Sequence, residues 1–584
     1  MSDVLLGEHT RPRERMGAGE PMKRSGIAFS GMAISCFALW LAAWMALSWP
    51  AIQDDALIHL RYAENLVRFH SITYDGVHPN FGTSSLLYVG LLAAATYLIK
   101  SPALPRLISN LAHAALFGGL AWLLLTKIPR PSRLVSLLSF TLLALLISPS
   151  SIRWLDDGME TGIVLCAISF VAWLAFEESR RSATTRRRFI ELTLLGYMLA
   201  LLRTELAMLA GLASLAIVAE QVAREGEFTL RGCLRALLRS SHLVIGCLLA
   251  CATILLAMGV LLPDTALAKA EGIEAWRRVL FATAVVLTSS FAIGAGLALF
   301  WLVTLGIVVL RRRLSASTVV VNLVFPVLLS LSMLRGQDIQ GVRYLLWALL
   351  FPSIWNILTL GLREDEASAD GAVEDSTVDI VMGRAAFVRR GVDEGTRFEM
   401  GLVYAFVVLL FLELPFESRM MYHVLRSRAA TMREFNGQHL ERLAGLQGVS
   451  MDIGYIGYFT HARICDMSGL VNGRAVARMK TPDRVRRCAE EHPEFAFGNS
   501  DQLGALTSYL AMGGWRVCSA YNFGNLREPD THYLVAPPAT ADRVCRSTGV
   551  APEATETIDT LLHRTDLPAA EAVSRFPVAG QPRR

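Results

Sequence analysis

The 584-residue sequence predicts a polytopic α-helical membrane protein of about 11 crossings, followed by a C-terminal soluble domain of mixed α/β type. Three observations predict it. Hydrophobic residues make up 53% of the chain and charged residues only 18%, with a mean hydropathy of +0.41, whereas soluble domains carry about a quarter charged residues. The apolar excess is gathered in runs near the length of one membrane crossing. Lys and Arg are concentrated in alternate connections between those runs, the bias that orients a helix with its basic flank in the cytoplasm. The net charge of +5 is too small to argue for a nucleic-acid partner.

Residues 1–26 read as a basic cytoplasmic tail carrying Arg11, Arg13, Arg15, Lys23 and Arg24. The run from Ile27 to Trp49 has no small-residue cleavage pattern at its end and reads as an uncleaved signal anchor. The membrane domain extends over 27–415, with further runs at about 84–98, 106–126, 134–149, 161–176, 189–202, 205–219, 241–262, 279–310, 316–334, 343–361 and 400–415. Inside connections are marked by Lys127, Arg130 and Arg133, by Arg180, Arg181 and Arg186 to Arg188, by Arg224, Arg231, Arg235 and Arg239, by Arg311 to Arg313, and by the polar stretch 362–399. Parity makes the short piece 84–98 re-entrant or interfacial and lays the first part of 279–310 along the interface. It also leaves residues 416–584 outside, where ordinary charge density, turn clusters and short strand-like runs, Trp515 to Tyr521 and His532 to Val535, mark a soluble domain. That domain holds Cys465, Cys488, Cys518 and Cys545, an even number in a compartment that permits disulfides, with the pairing left open.

The first outside loop, 50–83, is the richest in polar residues, and Gln53 to Leu66 reads Q-D-D-A-L-I-H-L-R-Y-A-E-N-L. Its apolar spacing predicts an amphipathic helix lying at the outer surface, begun by Asp54 or Asp55 as cap. One cap satisfies a helix end and a second adjacent carboxylate adds repulsion, so at least one of the pair is expected to have a functional role. Neighbouring helical residues point about 100° apart, so one enters a pocket while the other orients a neighbour. Glu64, between Arg61 and Arg68, reads as a surface ion pair. The turn-rich continuation Ser71 to Leu87 returns to the membrane where it could close one wall of a site. In the second outside loop, Asp156 to Thr161, Glu160 falls inside the next helix, where a charge is costly without a partner. Later loops supply Arg203 and Glu205, then Lys269, then Arg343 with Tyr344.

Acids in the first two loops and cations in the later ones thus gather at one membrane face. A carboxylate near an acceptor hydroxyl can remove its proton, while Arg and Lys can hold a departing phosphate. This is equipment for glycosyl transfer from a polyprenyl-phosphate sugar. A lipid-borne donor also removes the need for a nucleotide-binding domain, and no P-loop or G-x-G-x-x-G unit stands in a soluble context here.

The ordered motifs Asp54-Asp55, R-Y-A-x-N-L, N-F-G-T-S-S-L-L, G-M-E-T, L-R-T-E, L-P-D-T-x-x-A-K, G-V-R-Y and, in the tail, D-I-G-Y-I-G-Y-F and C-D-M-S-G-L run from about residue 50 to 475. Together they resemble the integral-membrane glycosyltransferases of the GT-C superfamily, in particular the mycobacterial terminal β-(1→2)-arabinofuranosyltransferases and their bacterial relatives. The resemblance implies an inverting transfer with the base in the acidic pair, Asp54 ahead of Asp55, and makes His59 and Arg61 candidate substrate contacts. It implies that Glu160 shapes the acceptor or metal environment, and that Lys269 and Arg343, supported by Tyr344, hold the lipid phosphate. Arg203 and Glu205 match a motif more often read R-P-D, from which Thr204 and Glu205 depart. The tail motifs around Asp452, Asp466 and Gly469 are expected to dock the soluble domain on the membrane domain. Acidic loops are compatible with a divalent metal, but no ligand set is fixed and no cofactor is assigned.

The implied partners are a polyprenyl-phosphate-linked donor, a cell-envelope glycan or lipid-linked acceptor, and the bilayer of the cytoplasmic membrane, with the site and tail on the periplasmic side. Two alternatives use the same features: a glycan polymerase or ligase with lipid-linked donors, and a transporter or flippase of lipid-linked sugars. The latter predicts midplane charges and related halves, whereas the charges here cluster at one face and no internal repeat is visible. The sugar and the acceptor are not readable from the residues.

Overall fold

A computed structural model describes residues 20–128, 132–181, 185–226, 229–268, 295–324, 341–370, 382–523, 530–552 and 555–563, with side chains described in these except at 20–33, 125, 239, 324, 341–345 and 362–396. Within the described residues the apolar runs are helical, as a bilayer demands of any segment that must bond all its backbone N–H and C=O groups internally. The principal helices are α1 (Glu20–Leu47), α2 (Asp54–Phe69), α3 (Leu86–Thr96), α4 (Leu104–Thr126), α5 (Arg133–Leu146), α6 (Pro149–Leu155), α7 (Thr161–Ser179), α8 (Arg186–Leu202), α9 (Leu206–Glu225), α10 (Leu230–Ser240), α11 (His242–Met258), α12 (Asp264–Ala268), α13 (Leu297–Leu310), α14 (Gly341–Asp370) and α15 (Met382–Gly437). Among the described residues, four stretches are long and apolar enough to cross a membrane alone: Leu104–Leu124, Thr161–Ser179, Leu206–Glu225 and Arg397–Gly437. Two pairs bent by 60° and 61°, α5 with α6 and the first part of α10 with α11, bring the number to six if each is one span. Shorter apolar helices cover Ile34–Leu47, Leu86–Thr96, Leu297–Leu310 and Leu346–Gly361. The expected run 279–294 lies outside the described residues, as does residue 269.

The protein is membrane-embedded, and its helices carry apolar side chains outward, among them Leu248, Leu249, Leu255 and Leu256 of α11 and Val408, Leu409, Phe411 and Leu412 of α15. Helix contact inside the bundle is close where small residues permit it. At the crossing of α8 and α11, a Cβ on Gly196 would fall 2.0 Å from the Leu243 carbonyl oxygen, and one on Gly246 2.0 Å from that of Thr193.

Helix α15 runs through Pro415 without ending, so the domain boundary expected there falls inside one helix that carries the chain into the tail. The tail folds around a five-stranded sheet of β1 (Gln447–Ser450), β2 (Arg463–Asp466), β3 (Phe495–Gly498), β4 (Arg516–Asn522) and β5 (Thr531–Ala536), in the order β2-β1-β3-β5-β4. Strand β1 pairs parallel with β2 and β3, while β5 is antiparallel to both β3 and β4. Helices α16 (Ile453–Thr460), α17 (Thr481–Glu490), α18 (Ser500–Thr507) and α19 (Pro538–Ser547) fill the connections. Disulfides join Cys465 of β2 to Cys488 of α17 and Cys518 of β4 to Cys545 of α19.

Helix α2 is the hub between the two parts. It was expected at the outer surface with one face wet, but Ala56 to Ala63 are all buried, because α3 and α4 pack on one side and α16 of the tail covers the other. An amphipathic pattern reports the face a helix hides from water and not a second partner that arrives from distant sequence.

Candidate active site

The N-cap of α2 is Gln53, whose backbone N–H donates to the Asp157 carbonyl at 2.8 Å; neither Asp54 nor Asp55 caps this helix, and both lie in its first turn. Asp54 is occupied elsewhere. Its Oδ2 accepts the backbone N–H of Gly454 at 2.8 Å and its Oδ1 that of Tyr455 at 2.7 Å. These belong to the first turn of α16, so Asp54 caps the tail's helix across the domain junction, where N–H groups and helix dipole both favour a carboxylate. Burial and the neighbouring charge of Asp452 nevertheless lift its pKa to about 7, against the lowering effect of the two N–H bonds.

Asp55 points elsewhere and lines a cavity of about 600 Å³, open mouth included. The other lining residues are Ile58 and His59 of α2, Gly82 and Ser84 of the following loop, Met159, Arg203, Glu205, then Pro263, Thr265 and Ala266, and Leu470 from the tail. The resemblance puts Asp54 ahead of Asp55 as base, while the residue of the pair that lines the pocket is Asp55. Asp55 enters the pocket and Asp54 orients a neighbour, because α16 claims the Asp54 carboxylate.

A chain of polar groups runs along the cavity wall. Thr83 Oγ1 lies 2.9 Å from His59 Nδ1, and His59 Nε2 lies 3.7 Å from Glu160 Oε2. Arg203 donates from Nη1 to Glu160 Oε1 and from Nη2 to Glu205 Oε1 at 3.2 Å, and its guanidinium stands 5.1 Å from the centre of the Trp347 ring. Glu160 is 1% exposed, so its charge depends on such partners. Burial pushes the Glu205 carboxyl up, but the adjacent Arg203 guanidinium overrides it and leaves Glu205 below the usual carboxylate range. Asp156 and Asp157 serve the framework: Asp156 Oδ1 lies 3.0 Å from His113 Nδ1, and Asp157 Oδ1 accepts the backbone N–H of Met159 at 2.9 Å.

Arg61 does not line the cavity, contrary to expectation. Its guanidinium donates to the backbone carbonyls of Tyr74 at 2.8 Å, Gly457 and Ala462 at 3.0 Å, and stacks 4.5 Å over the Tyr74 ring. It is a strut between the first loop and the tail. Glu64 likewise accepts the Tyr458 hydroxyl at 2.9 Å rather than forming the expected ion pair with Arg61 and Arg68. Lys269 lies outside the described residues; Arg343 and Tyr344 stand in the first turn of α14, with side chains outside them.

The tail motif D-I-G-Y-I-G-Y-F is the docking surface itself. A Cβ on Gly454 would sit 1.9 Å from the Asp54 carbonyl oxygen, and one on Gly457 1.9 Å from the Tyr74 hydroxyl. Tyr455 donates its hydroxyl to the Ile52 carbonyl at 2.8 Å, and Tyr74 donates to that of Ile453 at 2.6 Å. Asp452, just before α16, accepts from Gln502 Nε2 at 2.7 Å and pairs with His532 Nε2 at 2.7 Å. Sequence reasoning did not single out Ser84, Thr265 or Leu470 as lining residues. Each stands inside a motif quoted above, but none carries a charge to mark it.

Among the described residues no group of three or more His, Cys, Asp or Glu side chains converges as a metal-ligand set. No protein-family model matches the sequence, and no curated protein matches it. The fold does have solved counterparts. ArnT from Cupriavidus metallidurans in the apo state aligns over 89% of this chain and 99% of its own, with 10% identity and a TM-score of 0.51. ArnT from the same organism bound to undecaprenyl phosphate aligns over 87% and 98%, with 12% identity and a TM-score of 0.49. The chain therefore shares the fold of ArnT from Cupriavidus metallidurans.

Proposed function

We propose that this protein is a membrane glycosyltransferase that moves a sugar from a polyprenyl-phosphate donor to a cell-envelope glycan or lipid-linked acceptor at the outer face of the cytoplasmic membrane. The observation that carries the reading is the cavity at the domain junction, where Asp55 faces the polar row of His59, Arg203 and Glu205. The fold shared with ArnT supports it. In the proposed reaction Asp55 takes the proton of an acceptor hydroxyl as its oxygen attacks the anomeric carbon. The bond from that carbon to the phosphate oxygen breaks, the electron pair leaves with the polyprenyl phosphate, and direct displacement inverts the centre.

Arg203 is largely neutralised by Glu160 and Glu205, which suits this group to sugar hydroxyls better than to a phosphate. Lys269 and Arg343, with Tyr344, are assigned to the phosphate on the sequence pattern. The test is transfer by the purified full-length protein from defined polyprenyl-phosphate pentoses, arabinofuranose included, and hexoses. Transfer from one donor class is expected, with loss of about 10²-fold or more in Asp55→Asn. Full activity of that variant would remove the proposed base.

A further inference from the structure

The tail does more than cover α2. Among the described lining residues of the cavity, Leu470 alone comes from it, in the turn that follows β2. That turn is built around Asp466, the last residue of β2, which is fully buried. Its Oδ1 accepts the backbone N–H of Ser468 at 2.7 Å and the Ser468 hydroxyl, and its Oδ2 accepts the backbone N–H of Leu470 at 2.6 Å and of Val471 at 3.1 Å. A carboxylate taken out of water is tolerated only when its oxygens are so satisfied. One side chain thereby dictates the path of the backbone from β2 to Leu470. Gly469 makes the bend at φ +76°, and a Cβ there would also meet the Arg484 side chain at 2.7 Å.

The turn is held from both sides. Asn80 donates from Nδ2 to the Val471 carbonyl at 2.9 Å while accepting the Tyr62 hydroxyl. Gly82 has no room for a Cβ, which would fall 2.5 Å from the Leu470 carbonyl oxygen. Further on, Arg474 donates to the Leu262 carbonyl at 3.2 Å and lies 4.0 Å from Asp264, whose own N–H bonds the Phe81 carbonyl at 2.7 Å. The tail turn thus clasps the two segments that carry Gly82, Ser84, Thr265 and Ala266 into the cavity. Leu470 joins Ile58, Met159, Pro263 and Ala266 in giving apolar lining to a pocket that also holds Asp55, His59, Arg203 and Glu205, the mixture that suits a sugar ring with its C–H face and hydroxyl edges.

We propose that Asp466 is a positioning residue that sets Leu470 as the tail's wall of the cavity, and that this wall selects the acceptor sugar. The second half rests on the glycosyltransferase reading; the first does not. Position is tested without activity, by cross-linking the Leu470→Cys/Ala266→Cys protein in proteoliposomes with a short bis-maleimide and locating the bridge by mass spectrometry. The bridge is expected in the parent and reduced at least fivefold on adding Asp466→Asn, with both disulfides intact and unfolding still cooperative. An undiminished bridge overturns the positioning role.

Selection is tested by kinetics. Leu470→Ala is expected to raise the KM for the acceptor about tenfold, with kcat within threefold and donor KM unchanged, and Leu470→Met to restore it. Asp466→Asn should reproduce the alanine pattern. An unchanged acceptor KM in Leu470→Ala overturns the selecting wall. Absence of transfer by the parent with every donor overturns the glycosyltransferase reading and the acceptor assignment with it, while the cross-link still decides the position of Leu470.

Discussion

The two faces of α2 carry similar residues and put them to opposite use. Toward the tail, Asp54 and Arg61 are consumed by backbone groups of α16 and its neighbours, two N–H groups for the acid and two tail carbonyls for the base. Toward the cavity, Asp55 and His59 stand beside Arg203 and Glu205 with an opening in front of them. A charge saturated by the main chain becomes architecture, whereas one that lines a cavity is, in the proposed function, the one that meets a substrate. The role of an acid is thus decided by what covers it and not by its identity.

The sharpest way to break this comparison is to neutralise each carboxylate in turn. Asp55→Asn should lose 10²- to 10⁴-fold in turnover with an unchanged melting temperature, while Asp54→Asn keeps turnover within a few-fold. Equal losses in both would erase the distinction between the faces. Next in size is the strut. Arg61→Met removes the guanidinium donor from the tail carbonyls of Gly457 and Ala462, while that of Tyr74 keeps Asn65 Nδ2, and should weaken tail docking by on the order of 3 kcal/mol, read as faster proteolysis at the junction.

A smaller effect is expected of Gly454→Ala, whose Cβ collides with the Asp54 backbone. Overpacking of this kind costs roughly 1–3 kcal/mol, whereas Gly401→Ala, with open space around it, should be silent in the same melting assay.

The smallest effect is a pH dependence of docking. Asp54, lifted from 3.8 to about 7, favours the docked state when protonated, so its contribution is full below 3.8 and is lost as pH rises from there through about 7. His532 is lowered by burial but raised more by Asp452, so its contribution is present below 6.5 and lost as pH rises through its raised value. Burial raises Asp452, but the His532 bond lowers it further, so its contribution is present above 3.8 and lost as pH falls. Junction proteolysis should therefore be slowest near pH 4 and quicken progressively as pH rises toward about 7 and beyond, and His532→Gln should blunt the part of that rise above 6.5. A flat profile would remove these three groups from docking.

Much of this was legible in the residues, and the gaps have physical reasons. The adjacency of Asp54 and Asp55 says that their roles diverge, but which one meets the cavity depends on α16, which lies about 400 residues further along the chain. Glu160, expected inside an apolar helix, stands instead at the N-cap of α7, where it is buried all the same and is met by Arg203. Arg61 misleads because its partners are carbonyl oxygens, which every residue possesses and no side chain advertises. Leu470 is unreadable for the opposite reason: an apolar residue in a turn carries no mark until a buried Asp466 fixes where it points. Helix α15 runs on through the expected boundary at 415, because a change in composition is not a break in a helix.

The clasp around Leu470 also has a consequence in time. The chain is synthesised from its N-terminus, so Asp55, His59, Arg203 and Glu205 exist long before the tail turn leaves the ribosome. Until that late segment has folded and settled against Gly82, the earlier residues stand in a cavity with a side missing. A piece made late is the one that closes the vessel.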